Sequence, residues 1–157
     1  MTKKSAGLLI FRAKEGGLEV FLVHPGGPFW AKKDTHSWSI PKGEPGENEE
    51  MLYAAIRETE EETGIKVAGD FIELEPVKQK SGKWVYAWAI KNNIDITEVK
   101  SNFFEMEWPP RSGKIKSFPE VDKAEWFEIA EAKNKIIEGQ VPLLEQLETL
   151  LKLNNIK

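Results

Sequence analysis

The chain has 157 residues, a formal net charge of −4, 40% hydrophobic residues, 31% charged residues and no cysteine. These values predict one globular domain over residues 1–157, and they exclude disulfides and thiolate metal sites. The acidic balance argues against a nucleic acid polymer as partner, and no apolar run approaches the roughly 18 residues that a membrane span needs. A cytoplasmic protein is therefore expected.

The first part of the chain predicts a strand hairpin followed by a loop. Apolar runs at 6–12 and 18–24 have strand length, and the glycine-containing residues 14–17 between them predict the turn. Proline and glycine interrupt residues 24–36, which predicts a loop. A short strand is predicted at 37–40.

A helix is predicted at 49–63, with Asn48 as its N-cap and Gly64 as the left-handed residue after its end. The glutamates at positions 49 and 50 suit the positive end of the helix dipole. One face of the helix can pack on a sheet, because helical spacing places on it Leu52, Ala55, Ile56 and Thr59.

Three glutamates of this helix, Glu58, Glu61 and Glu62, are spaced so that their carboxylates converge on a neighbouring face. Converging carboxylates are costly unless a cation neutralises them. Oxygen ligands without cysteine or a histidine cluster favour Mg²⁺, with Mn²⁺ as the alternative ion, and such ions also bind phosphate. On spacing alone, a solvated acidic face remains the alternative.

The second half of the chain predicts more strands, a loop and two helices. In chain order these are strands at 70–79 and 83–91 joined near residues 81–82, a long loop at 101–118, a strand at 123–129, and helices at 130–138 and 141–153. Pro109 and Pro110 are the reason for the loop. Strands and helices in this order predict a mixed α/β or α+β domain.

The run from Gly43 through Glu49 to residues 57–65 resembles the Nudix box, Gly-x5-Glu-x7-Arg-Glu-U-x-Glu-Glu-x-Gly-U, in which U is apolar. Only Thr59 departs from the pattern, at a U position. The resemblance implies a Nudix-type α/β/α sandwich. It also implies hydrolysis of a nucleoside diphosphate linked to another moiety, by a water that attacks phosphorus with Mg²⁺ bound at the box.

The resemblance also implies roles for individual residues. The metal ligands so implied are Glu58, Glu61, Glu62 and a carbonyl at Lys42 or Gly43. Glu49 and Arg57 are implied to form an ion pair that orients the ligands, although Glu49 could join the metal shell. The catalytic set is Glu61, Arg57 and, from outside the box, Glu120, for which a surface loop glutamate is the alternative interpretation. Glu105 and Glu107 are weaker candidates for this last role.

Residues 36–44, HSWSIPKGE, resemble the Trp-x-x-Pro-Lys-Gly segment of diadenosine-polyphosphate hydrolases and of some nucleoside triphosphate pyrophosphohydrolases. A dinucleoside polyphosphate is therefore the expected substrate. One alternative is release of pyrophosphate from a free nucleoside triphosphate, oxidised ones included. Another is a nucleotide sensor without turnover. The expected partner is in each case a small-molecule nucleotide, and the sequence predicts no oligomeric state.

Four side chains are predicted to bind substrate: Lys42, Trp38, Tyr86 and Arg111. Lys42 would contact phosphate, the alternative being a solvent-facing lysine. Arg111 would bind distal phosphates, the alternative being a solvated basic loop. Aromatic rings that could stack on an adenine, or serve only as core, are Tyr86, Trp88, Trp30 and Trp108.

Overall fold

The structure, a computed structural model, describes residues 3–15 and 17–154, so Gly16 of the predicted first turn lies outside the described residues. Its strands are β1 (Lys4–Lys14), β2 (Gly17–Pro25), β3 (Lys42–Gly43), β4 (Ile72–Glu73), β5 (Val77–Lys78), β6 (Trp84–Lys91), β7 (Phe103–Glu107), β8 (Ile115–Pro119) and β9 (Val121–Glu128). Its helices are α1 (Met51–Thr63), α2 (Ile129–Lys135) and α3 (Val141–Asn154), with 3₁₀ turns at Ile96–Glu98 and Glu138–Gln140.

Strand β1 is the centre of a mixed seven-stranded sheet with the order β4-β6-β1-β2-β9, to which β3 adds beside β1 and β5 beside β6. β1 runs parallel to β6 and antiparallel to β2 and β3. Ala6 pairs with Gly43 and Gly7 with Lys42. Gly7 permits this approach, because a Cβ at that position would lie 2.5 Å from the Pro41 carbonyl oxygen.

Helices cover both faces of the sheet. On one face Ala54 and Ala55 of α1 pack in a cluster with the sheet residues Ala6, Leu8, Ile10, Phe21 and Val23. On the other face the helices α2 and α3 contribute Ala132, Leu143, Leu144 and Leu147 to a second cluster. This layering confirms the predicted mixed sheet and α/β/α sandwich. Within the described residues, no helix has the length and apolar character to cross a membrane.

Several predicted elements are present with similar bounds. β1, β2, β6, β9, α1 and α3 confirm the corresponding predictions. Gly64 ends α1 with a φ of 75°, as predicted for a left-handed cap. On β6 the small residues Val85, Ala87 and Ala89 are buried, whereas Trp84, Tyr86 and Trp88 on the alternate face are half-buried.

Other predicted elements are wrong in ways that have physical reasons. The predicted strand at 37–40 forms only isolated bridges, Val23 with Ser39 and Trp38 with Ile136. The predicted strand at 70–79 is broken into β4 and β5 around Pro76, which has no N–H to donate to a neighbouring strand. The predicted loop at 101–118 is instead a separate two-stranded sheet, β7 with β8.

The ends of two helices also differ from prediction. Asn48 has a φ of 62° and is not the N-cap of α1; Glu50 occupies that position and makes no side-chain capping bond. α1 therefore begins after Glu49 and Glu50, which lie outside its first turn. The helix predicted at 130–138 ends at Lys135, and a 3₁₀ turn follows.

Candidate active site

The glutamate-rich helix lies directly against the short strand β3. The Glu58 carboxylate occupies the space where a side chain at Gly43 would begin, so only a glycine fits there without displacing it. The Lys42 backbone N–H donates to Glu62 Oε1 at 3.3 Å. Because β3 pairs with the central strand β1, these contacts attach the helix end to the middle of the sheet.

Arg57 binds the carboxylates around it. Its Nε and Nη2 atoms donate to the two Glu49 oxygens at 2.7 and 2.9 Å, so the ion pair expected between these residues is present. Its Nη1 donates to Glu61 Oε2 at 3.0 Å and lies 3.3 Å from Glu58 Oε2. One guanidinium therefore fixes the relative positions of three glutamates, in the bidentate geometry that favours Arg over Lys.

The carboxylates differ strongly in how readily they ionise. Burial raises the pKa of Glu58 to about 7, Glu61 adds to the effect, and Arg57 opposes it. Burial raises the pKa of Glu62 to about 8, with Lys42 opposing and Glu120 and Glu58 adding. Two protein carboxylates at this place are thus poorly stabilised as anions, which is typical of functional sites.

The pKa values of Lys42 and Glu49 are lowered, in contrast to those of Glu58 and Glu62. Burial lowers the pKa of Lys42, and the neighbouring Glu62 charge opposes that shift. The Arg57 hydrogen bonds, with the Gly46 N–H, lower the pKa of Glu49 to about 2. Glu49 is thus held as an anion by Arg57, while Lys42 is a half-buried ammonium next to an acidic group.

Glu120 comes from a distant part of the chain, between β8 and β9. Its backbone carbonyl accepts a hydrogen bond from the Gly26 N–H at 2.8 Å, and its Oε1 accepts one from Asn102 Nδ2 at 3.3 Å. The Asn102 N–H in turn donates to the Glu61 carbonyl at 3.1 Å. Asn102 therefore links Glu120 to the end of α1, a role that no signal in the sequence indicated.

A cavity of about 180 Å³ joins these groups. Its polar lining includes Lys42, Glu62 and Glu120. Apolar and aromatic side chains, among them Pro25, Trp30 and Ile137, form much of the remaining wall. Carboxylates, an ammonium group and apolar side chains thus line one small space.

The glutamates suit a divalent cation in their chemistry, and Glu58 and Glu61 lie close together around Arg57. Within residues 3–15 and 17–154, no group of three or more His, Asp or Glu side chains is arranged to hold a metal ion. Arg57 holds Glu61 and stands beside Glu58. The available donor atoms are all carboxylate oxygens. The raised pKa values of Glu58 and Glu62 show that their ionised forms are disfavoured, and a hard cation would stabilise those ionised forms.

Three of the four predicted substrate contacts do not line this cavity. Trp38 is 3% exposed, its Nε1 donates to Asp34 at 2.8 Å, and its ring packs in the core, so the prediction of a substrate contact is wrong for this side chain. Tyr86 is half-buried on β6 with the Lys4 ammonium over its ring. Arg111 is exposed in the connection from β7 to β8. Lys42 alone of the four lines the cavity.

A three-layer sandwich with a glutamate-rich helix against a short strand of its sheet has the architecture of the Nudix domains. The chain belongs to the Nudix family, because the NUDIX domain model matches residues 1–147. A Caenorhabditis elegans Ap4A hydrolase in a binary complex is similar in structure, with a TM-score of 0.65 and 26% identity over 96% of this chain and 98% of that one.

Curated relatives are similar over shorter stretches. An asymmetrical bis(5'-nucleosyl)-tetraphosphatase of C. elegans is 40% identical over 65 residues, which is 41% of this chain and 43% of the relative. Nudix hydrolase 7 of Arabidopsis thaliana is 32% identical over 100 residues, which is 59% of this chain and 34% of the relative. The chain thus spans less than half the length of these two relatives.

Substituting Gly43 tests the packing of the helix on β3. Gly43→Ala is expected to displace the Glu58 carboxylate, because the new Cβ would occupy its place, and to lower any turnover that depends on Glu58. The measurement is kcat/KM together with the unfolding temperature. Gly17→Ala is the matched control, since a Cβ there meets nothing within 4 Å and activity should be unchanged. Unchanged activity in Gly43→Ala would show that the Glu58 position does not matter.

Arg57→Lys tests whether the guanidinium organises the glutamates. A lysine cannot make the paired bonds to Glu49 and the bond to Glu61 at once, so kcat/KM is expected to fall about 10- to 100-fold, as for residues that orient metal ligands. Arg12→Lys is the control, because Arg12 pairs with Glu19 on the sheet away from the cavity. Equal activity in the two variants would contradict the organising role.

Proposed function

We propose that this protein hydrolyses a nucleoside diphosphate linked to another moiety, with Mg²⁺ as cofactor and a dinucleoside polyphosphate as substrate. The observation that carries the proposal is the meeting of Glu62, Lys42 and Glu120 at one cavity, beside the cluster of Arg57 and its glutamates. Carboxylates that a cation would stabilise lie beside a lysine that can bind an anion. Together they suit a polyphosphate with a bound metal ion.

The likeness to the C. elegans Ap4A hydrolase supports this choice of substrate. That structure is matched over nearly its whole length, at 26% identity. An asymmetrical bis(5'-nucleosyl)-tetraphosphatase of rat is also 34% identical over 102 residues, covering 64% of the relative. Both relatives are named for dinucleoside polyphosphates, so this substrate class is the first to test.

Each residue at the site has a proposed task. Glu58, Glu61, Glu62 and the Gly43 carbonyl would hold Mg²⁺. When bound, the cation supplies positive charge that stabilises the phosphate oxygens in the transition state. Lys42 orients the polyphosphate, because its ammonium group binds a non-bridging phosphate oxygen.

Glu120 is proposed to accept the proton of the attacking water. The water oxygen forms a new bond to phosphorus, the bridging bond from phosphorus to oxygen breaks, and the leaving phosphate carries away the bonding electron pair. Glu120 is suited to this because it lines the cavity and Asn102 fixes one of its oxygens. A positioned base is typically worth about 10²- to 10⁴-fold in rate.

The test is turnover of a nucleotide panel with product identification. Diadenosine tetraphosphate, ATP, an 8-oxo-purine triphosphate and ADP-ribose are each incubated with Mg²⁺ and, in parallel, with EDTA. ATP plus AMP from diadenosine tetraphosphate, formed only with Mg²⁺, is the expected result. Release of pyrophosphate from a triphosphate as the faster reaction would overturn the substrate assignment. Nucleotide binding without turnover of any compound would overturn the hydrolase assignment.

A further inference from the structure

The loop between β2 and β3 holds two aromatic side chains in exposed positions. Phe29 is 62% exposed and Trp30 is 37% exposed. We name residues 26–35 the aromatic loop. Exposed aromatic rings on a well-anchored loop are a common form of binding surface, because the cost of ordering them has already been met.

Three contacts anchor the aromatic loop to the body of the protein. The Gly26 N–H donates to the Glu120 carbonyl at 2.8 Å. Asp34 accepts the Trp38 indole N–H at 2.8 Å and pairs with Lys135 on α2. The start of the loop is thus bonded to Glu120, between β8 and β9, and its end is bonded to Trp38 of the core and to α2.

His24 provides the third anchor, beneath the loop. It is 1% exposed, its Nδ1 bonds Asp122 Oδ1 at 2.7 Å, and its Nε2 bonds the Lys33 carbonyl at 2.6 Å. Asp122 lies on β9, two residues after Glu120. His24 therefore joins the loop to the strand at the cavity, and its ring also packs edge-on against Trp38 at 5.1 Å.

Trp30 is the aromatic side chain that this arrangement presents to the cavity. It lines the same space as Glu62 and Glu120. The Lys33 ammonium lies over its ring, 5.0 Å from the centroid, so one face of the indole is already occupied by a cation. The ring can therefore offer its remaining surface to a flat group, with positive charge close by for a phosphate.

The size of the cavity limits what it can hold. Its volume of about 180 Å³ is below the roughly 300–1,000 Å³ of pockets that enclose a drug-sized ligand. It can therefore enclose only part of a dinucleoside polyphosphate. A planar heterocycle suits the wall formed by Trp30, because base stacking on an aromatic side chain does not need a particular base.

Resting on the proposed function, we infer that Trp30 is the stacking wall for a nucleobase of the substrate and that His24 is the positioning residue that holds this wall. His24 acts through the Lys33 carbonyl, which lies three residues after Trp30. The site would take nucleotides of more than one base, since stacking on an aromatic ring does not depend on which base is bound.

Calorimetric titration with α,β-methylene-ADP and Mg²⁺ tests the role of Trp30, because the methylene bridge resists hydrolysis. Trp30→Ala is expected to weaken binding about 5- to 150-fold, the range found for one base-aromatic stack, and Trp30→Phe should restore much of it. Tyr53→Ala is the matched control, since Tyr53 is 64% exposed and does not line the cavity. Inorganic pyrophosphate, which has no base, should bind Trp30→Ala as well as it binds the wild type.

A double-mutant cycle tests the role of His24. His24→Leu is expected to weaken α,β-methylene-ADP binding in the wild type but to add little in the Trp30→Ala background, because the two residues act as one unit. His24→Gln retains a donor and should recover part of the affinity, which guards against a general folding defect. Equal losses in both backgrounds would contradict a role exerted through Trp30.

The outcomes separate this inference from the proposed function. Trp30-dependent binding of α,β-methylene-ADP in a protein without turnover would support the stacking wall and overturn the hydrolase. Turnover of diadenosine tetraphosphate with KM and kcat unchanged in Trp30→Ala would support the hydrolase and overturn the stacking wall. A loss of pyrophosphate binding in Trp30→Ala would also overturn it, since the effect would then not depend on a base.

Discussion

Glu62→Gln is expected to lower Mg²⁺-dependent turnover at least about 100-fold while the protein stays folded. A cation at a phosphoryl site contributes several kcal/mol of transition-state stabilisation, and each 1.36 kcal/mol is about tenfold in rate. Glu62 is half-buried and, of the three helix glutamates, is the one that lines the cavity. A neutral amide there removes the charge that a cation needs, so Mg²⁺ affinity should fall together with kcat.

The stability of the same variant has an opposite expectation. Burial disfavours the Glu62 carboxylate, and the charges of Glu120 and Glu58 disfavour it further. A glutamine of similar shape carries no charge and can still accept the Lys42 N–H. The metal-free variant should therefore unfold at a temperature equal to or above that of the wild type, as measured by calorimetry.

Glu60→Gln is the matched control for this prediction. Glu60 lies on the same helix two residues earlier, is exposed, and does not line the cavity. Its substitution should leave turnover and Mg²⁺ affinity as they are. Full activity in both Glu62→Gln and Glu61→Gln would contradict the assignment of the metal site to α1.

Glu120→Gln is expected to reduce kcat about 10²- to 10⁴-fold, the range for loss of a general base, with KM nearly unchanged. The amide oxygen can still accept the Asn102 Nδ2 hydrogen bond, so the geometry should persist. The split between kcat and KM is decisive, because a purely structural role would disturb both. It is measured by steady-state kinetics with saturating Mg²⁺.

Glu105→Gln is the control for the base. Glu105 lies exposed on β7, pairs with Ser117, and does not line the cavity. Its substitution should have no effect on turnover. A large loss in Glu105→Gln with none in Glu120→Gln would transfer the proton-accepting role to the β7–β8 hairpin.

The parts of the fold that the sequence predicted well are those whose signal is local. Helical spacing of Ala55 and Thr59 placed one face of α1 on the sheet, and both are buried. Gly64 marked the end of that helix through its left-handed backbone. The Nudix box also predicted that Glu49 lies beside Arg57, and the ion pair between them is present. Glu49 precedes α1 and Arg57 lies in its second turn, so a short stretch of chain is enough to bring them together.

The incorrect predictions concern features that depend on tertiary structure. β7 and β8 form a two-stranded sheet outside the main one, and neither strand has a fully buried residue, so the hydrophobic pattern that predicts a strand is weak here. Trp38 matched a motif associated with substrate, yet it packs on Phe127 at a ring distance of 4.9 Å. Asn48 has a capping side chain, but its backbone turns away from the geometry of a cap.

The assembly of the site could be predicted only in part. The helix glutamates and Lys42 lie within one motif, so their proximity follows from a short stretch of sequence. Glu120 reaches them because Pro25 pairs with Val121 and because Asn102 bonds both Glu120 and the end of α1. Such pairings between distant residues depend on the whole sheet, and a single sequence does not reveal them.

The place of β3 beside the central strand has a consequence for how the protein folds. Ala6 of β1 is paired on one side with Gly43 and on the other with Tyr86, so the strand closes two long loops of chain at once. Closing a long loop lowers the entropy of the chain before the new contacts form. Strand pairings of this kind therefore form slowly during folding and depend on one another. The proposed site therefore belongs to the same cooperative unit as the sheet, and we expect that a fragment with only the helix and its preceding loop does not form it.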